Sequence, residues 1–169
     1  MGNPLNMKKK KSILLFLALI LPILIFIFLK FFGKNEFAVP LLYVDKAPTI
    51  QEGCLSVAIP YHVPDSILRQ LDFKDDSLSL VLFSTPNEES KIQLHRVMDE
   101  VSKDGIRMVQ FPSLGEKVMK WKKCIFFLNE PFDLALVDRS GMIRGQYASN
   151  DRDEIDRLLI EITIIIKKY

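Results

Sequence analysis

The chain has 169 residues, 49% of them hydrophobic and 26% charged, with a formal net charge of +2. Six of its 23 basic residues and none of its 21 acidic ones lie in residues 1–34, so the rest of the chain carries an acidic excess. Nucleic acid is not expected as a partner, because its electrostatic footprint needs a clustered positive surface.

Residues 12–29 hold no charge and are nearly all Leu, Ile or Phe. At helical rise such a run covers roughly 27 Å, close to the hydrocarbon thickness of a bilayer. Lys30 can snorkel to the interface, which extends the predicted span to residues 12–32, and membrane helices tolerate a proline such as Pro22. Lys8, Lys9, Lys10 and Lys11 precede the run, whereas Lys30 and Lys34 follow it. The positive-inside rule then places the basic segment 1–11 in the cytoplasm and the bulk of the chain on the far side, with the lipid bilayer as partner of 12–32. A cleaved signal peptide is the rival reading. It fits less well, because the apolar run is long and no small-x-small site follows it.

Residues 33–54 read as a linker or irregular extension, and residues 55–169 as one soluble domain. Segments 39–44 and 55–59 have the composition of short edge strands between prolines. Residues 78–83 form an apolar run of strand length. Ser84-Thr85-Pro86-Asn87 supplies turn and capping residues for a helix whose apolar stripe is Leu94, Val97, Met98 and Val101, ending at Gly105. A second strand is predicted over 106–111, stopped by Pro112, and a lysine-rich helix over 114–123. Leu134-Ala135-Leu136-Val137 is a third strand, Asp138-Arg139-Ser140-Gly141 a turn, and 142–147 a fourth strand. Ser149, Asn150 or Asp151 caps a last helix with an apolar face of Ile155, Leu158, Leu159, Ile162 and Ile166. The order β-α-β-α-β-β-α predicts an α/β domain with a mixed central sheet and helices on both faces.

Four segments resemble the Sco/SenC branch of thioredoxin-like proteins. Tyr61-His62-Val63-Pro64-Asp65 is similar to the stretch before that family's sheet, and Val81-Leu82-Phe83-Ser84-Thr85 to its first core strand. The hairpin from Leu136 through Asp138-Arg139-Ser140-Gly141 to Tyr147 and the helix start Asp153-Glu154-Ile155-Asp156-Arg157-Leu158 complete the likeness. The resemblance implies a thioredoxin-like fold on a membrane anchor. It also implies copper delivery to cytochrome oxidase or thiol–disulfide exchange, carried by a Cys-x-x-x-Cys pair and a histidine. None of the three stands here. Thr85 occupies the place of the first cysteine, Glu88 or Glu89 that of the second, and Glu130 that of the histidine. No catalytic, cofactor or metal residue is therefore expected.

The remaining features carry plainer readings. Cys54 and Cys124 are read first as buried free thiols, with a disulfide as the alternative that an oxidising compartment permits. His62 and His95 lack a partner at a metal-ligand spacing. Met98, Met108, Met119 and Met142 are dispersed and are read as packing residues. Glu88 and Glu89 suit a helix N-terminus. Lys117, Lys120, Lys122 and Lys123 around Trp121 are read as a solvated face. The expected protein is a redox-inactive, single-pass component of a bacterial inner membrane. It would serve as an accessory or assembly factor of a membrane complex, a respiratory one by analogy. Its partner would dock on Thr85, Pro86, Glu88, Glu89, Glu130, Pro131 and Phe132. The alternative is a divergent copper chaperone or thiol–disulfide oxidoreductase for cytochrome oxidase maturation.

Overall fold

Proline without an N–H fits the first position of a helix, and α1 begins there, spanning Pro4–Phe32. The computed structural model describes residues 4–32, 38–73, 78–101, 106–111 and 113–168. The chain divides into two units, Met1–Phe37 and Ala38–Tyr169. In α1 the side chains described are those of 16–31, and all but Ile20 are exposed. Among the described residues no helix is long and apolar enough to cross a membrane. The predicted span 12–32 falls partly outside those side chains.

The second unit is a mixed α/β layer structure. Its elements are α2 (Asp65–Gln70), β1 (Ser79–Leu82), α3 (Glu88–Val101), β2 (Arg107–Gln110), α4 (Glu116–Cys124), β3 (Leu134–Val137), β4 (Ile143–Tyr147) and α5 (Arg152–Lys168). The strands lie in the order β2-β1-β3-β4. β1 runs parallel to β2, which demands a crossover that α3 supplies, and β3 is antiparallel to both β1 and β4.

β1 and β3 are buried along their whole length, which explains why they read as unbroken apolar runs rather than alternating ones. Strand alternation divides their side chains between two cores. Leu80, Leu82, Leu134, Leu136 and Tyr147 pack with Leu94, Val97, Ile155, Leu158 and Ile162 of α3 and α5. Val81, Phe83, Ala135, Val137 and Ile143 pack with Tyr61, Val63, Ile67 and the segment 126–128. Full burial of one such leucine contributes about 2 kcal/mol, so β1 and β3 hold the sheet. The half-buried β2 is its weaker edge.

The hairpin turn is organised by one carboxylate. Asp138 Oδ1 accepts the N–H groups of Ser140 at 2.9 Å and Met142 at 3.0 Å and the Ser140 hydroxyl at 2.7 Å. Asp138 Oδ2 lies 3.0 Å from Arg144 Nε, in a pair almost closed to solvent. Gly141 takes φ +78, and a Cβ there would press on Leu68. A Cβ at Gly145 would overlap the Tyr147 ring, so glycine at that position lets the ring lie over the strand.

Several predicted elements change. The segments 39–44 and 55–59 form no strands. Instead Leu42 N–H donates to Ile143 O at 3.0 Å and Tyr61 N–H to Tyr43 O at 2.9 Å, and Tyr43 has φ 62, which breaks an extended course. The helix α2 was not foreseen; Pro64 precedes it and Ile67 is its buried residue. Gly105 and Pro112, the predicted stops, lie outside the described residues. Residues 38–54, read as linker, belong to the unit that holds the sheet. Cys54 and Cys124 are not free thiols. They form a disulfide with Cα atoms 5.2 Å apart, tying that segment to the end of α4.

Candidate functional site

At the end of β1 the parallel pair stops and the loop before β3 comes alongside it, the place where open α/β sheets collect ligands. Asp133, one residue before β3, binds three segments together there. Its Oδ2 accepts the Ser84 hydroxyl at 2.5 Å and the Ser149 hydroxyl at 2.7 Å, and its Oδ1 accepts Ser149 N–H at 2.7 Å. Its backbone accepts Phe83 N–H at 2.8 Å and donates to Tyr147 O at 3.0 Å. The Ser149 and Ser90 hydroxyls share a buried bond of 3.1 Å. Asn87 Oδ1 accepts Ser90 N–H at 2.8 Å, which caps α3 and fixes the loop between β1 and that helix.

Phe83, Ser84, Ser90 and Asp133 form part of the wall of a pocket of about 300 Å³. Thr85, Asn87, Leu114, Met119, Lys122, Glu130, Pro131 and Asn150 also line it, which brings hydroxyl, amide and carboxylate groups, the Lys122 ammonium and one thioether to its wall. Lys122 lies in α4 with its side chain 9% exposed, and its Nζ meets Glu130 Oε1 at 3.0 Å, whereas the Glu130 side chain is 86% exposed. The fold therefore fixes the cation, and solvent surrounds its anion.

The predicted surface is only partly assembled. Thr85, Glu130 and Pro131 line the pocket. Pro86 is half-buried beside them, and the Glu130–Pro131 peptide is cis. Glu88 and Glu89 do not line it; both are exposed in the first turn of α3, and Glu88 pairs with Lys91 at 2.5 Å. Phe132 lines a different groove, of about 480 Å³, with Leu42, Tyr43, Phe127 and Gln146. The lysine face is divided too. Lys117 sits over the Trp121 ring at 4.8 Å and Lys120 and Lys123 are exposed, but Lys122 is buried in the pocket wall. Ser84, Ser90, Lys122, Asp133 and Ser149 were not singled out for this site from the sequence. The available signal was small polar residues at the ends of three apolar strands.

The copper that the resemblance implies does not fit this donor set. Cu(I) prefers soft thiolate or thioether sulfur. Here the sulfur in the lining is the single thioether of Met119, Thr85 presents a hydroxyl, Glu130 is engaged by an ammonium, and both cysteines are bridged to each other. Cys124 is also the last residue of α4, the opposite end of a helix from the one that stabilises a thiolate. His62 is exposed, and His95 pairs with Asp99 at 2.9 Å on the surface of α3. Phenolate chemistry is equally remote. Burial pushes the Tyr61 hydroxyl up, and burial followed by the Glu161 carboxylate pushes up that of Tyr147. No family model, curated protein or solved structure matches this chain.

Asp133→Ala should lower unfolding stability by about 3 kcal/mol, because it strands the Ser84 hydroxyl and the Ser149 N–H and leaves the Ser149 hydroxyl only Ser90. Asp133→Asn retains an acceptor and should lose less. Chemical denaturation of the full chain in detergent micelles measures both; equal stability of the alanine variant and the parent would remove Asp133 from its role as the tie.

Proposed function

We propose that this chain is a membrane-anchored, thioredoxin-like protein that acts by binding a protein partner. It would serve as an accessory or assembly component of a membrane complex and perform no redox or copper chemistry of its own. One observation carries the reading. The pocket at the end of β1 is fixed by hydrogen bonds, yet its lining residues bring oxygens, an ammonium and the Met119 thioether, with no cysteine among them for thiol exchange.

The strand order β2-β1-β3-β4, with one parallel crossover and a terminal hairpin, supports a thioredoxin-like arrangement. The loop before β3 then meets the β1–α3 loop, which is where proteins of that architecture hold a client. A surface that retains shape and polar groups can bind without a nucleophile, because packing and charge complementarity require no thiolate. A respiratory complex is the first candidate by family analogy.

The apolar residues 12–32 and the lysines before them support an N-in, C-out anchor. The Cys54–Cys124 disulfide supports the same side for the domain, since such bonds persist in oxidising compartments. An enzyme reporter that works only outside the cytoplasm, fused after Tyr169, is expected to be active. Activity of a cytoplasm-only reporter at that site would reverse the topology.

A photo-crosslinking amino acid at Thr85 should capture one discrete membrane-complex protein in intact cells. The same group at Ile92, which is exposed on α3, should not. Capture from Ile92 and not from Thr85 would move the binding surface to the opposite face of the sheet.

A further inference from the structure

We propose that the pocket beside β1 recognises a carboxylate of its partner, with Lys122 as the counter-charge and Glu130 as an internal stand-in that gives way. This rests on the binding role just described and names the chemistry that the site accepts.

Lys122 and Glu130 are unequal partners. An ammonium with its side chain 9% exposed has lost most of its hydration and needs an anion. A carboxylate whose side chain is 86% exposed could be hydrated fully if it turned away. Glu130 therefore gains little from the contact, since an exposed carboxylate in an ion pair offsets side-chain ordering against a screened attraction. Lys122 gains much. A second carboxylate entering from solvent would satisfy Lys122 equally well, while Glu130 rotated into water at small cost.

The wall also carries hydrogen-bond donors for an acid. The other carboxylate in the wall, Asp133, already accepts two hydroxyls and an N–H, so its charge is directed at those donors. Thr85, Asn87 and Asn150 line the same cavity and add groups able to donate. Its volume of about 300 Å³ is enough for one acidic side chain or a chain terminus. An ammonium brings three N–H donors, and among the described residues Glu130 is the acceptor that meets it. Donors thus remain for an incoming carboxylate.

The probe is a capped glycine–glutamate–glycine peptide, with the glutamine peptide as its uncharged twin. Each is titrated into the full chain in detergent micelles and followed by NMR of labelled lysine side chains. The parent should bind the glutamate peptide weakly, and Glu130→Ala about tenfold more tightly, the worth of one charge-assisted hydrogen bond freed from competition. The glutamine peptide should bind neither, and Lys122→Met should abolish binding. The Glu130→Ala comparison keeps the lysine in place and decides the matter even if Lys122→Met does not fold. No gain in Glu130→Ala, or equal binding of the two peptides, overturns carboxylate recognition. If Thr85 still captures a partner in that event, the binding role stands alone. If the peptide binds and Thr85 captures nothing, carboxylate recognition stands and the membrane-complex role falls.

Discussion

The carboxylate of Asp133 is the tie on which the end of the sheet at the β1 exit depends. Three chain segments end or begin there: the exit of β1, the entry to β3 and the exit of β4. Each has polar groups that would otherwise be stranded beside a fully buried strand. Ser84, Ser149 and the Ser149 N–H all converge on one acid, while its backbone bonds to Phe83 and Tyr147. A group that accepts three hydrogen bonds while ionised is held more firmly than three separate neutral bonds would be. The loops around the pocket are thus positioned by chemistry inside the protein.

The disulfide supplies a second constraint on the same region. Cys124 closes α4 two residues after Lys122, and Gln51 bonds Asn129 immediately before Glu130. The segment that follows the first unit is therefore attached at both ends of the stretch carrying the pocket's ion pair. Linking residues 70 apart in sequence restricts the unfolded chain by about 4 kcal/mol in the loop-entropy description. That suits a domain whose N-terminal third is mostly irregular. Both cysteines are used in holding shape.

Much of the fold was legible in the sequence, because its strongest signals are local. The leucine and valine runs of β1 and β3, the turn at Asp138 and Gly141, and the stripe of α5 each carry their own periodicity. Segments 39–44 and 55–59 misled for the same reason. Their residues suit strands, but among the described residues their backbone bond to β4 is made at Leu42 alone, and the prolines and Tyr43 turn the chain away. The site was legible in position and not in content. Thr85, Glu130 and Pro131 line one pocket because the exit of β1 and the loop before β3 lie side by side. Glu88 and Glu89 turned outward with the first turn of α3, and Phe132 faces another groove. Lys122 looked like one of four solvated lysines, since nothing local distinguishes the member of a helix that turns inward. Asp133 and Ser149 lie 16 residues apart, and the disulfide joins residues 70 apart; neither pairing leaves a trace in local composition.

Hydrogen exchange on the full chain in its native membranes, set against the same chain reconstituted alone in vesicles, tests most directly whether this end of the sheet is a binding surface. The expected result is slower exchange at residues 83–90 and 129–133 in native membranes only. Identical exchange in both settings, or slowing confined to the outer faces of α3 and α5, would contradict it.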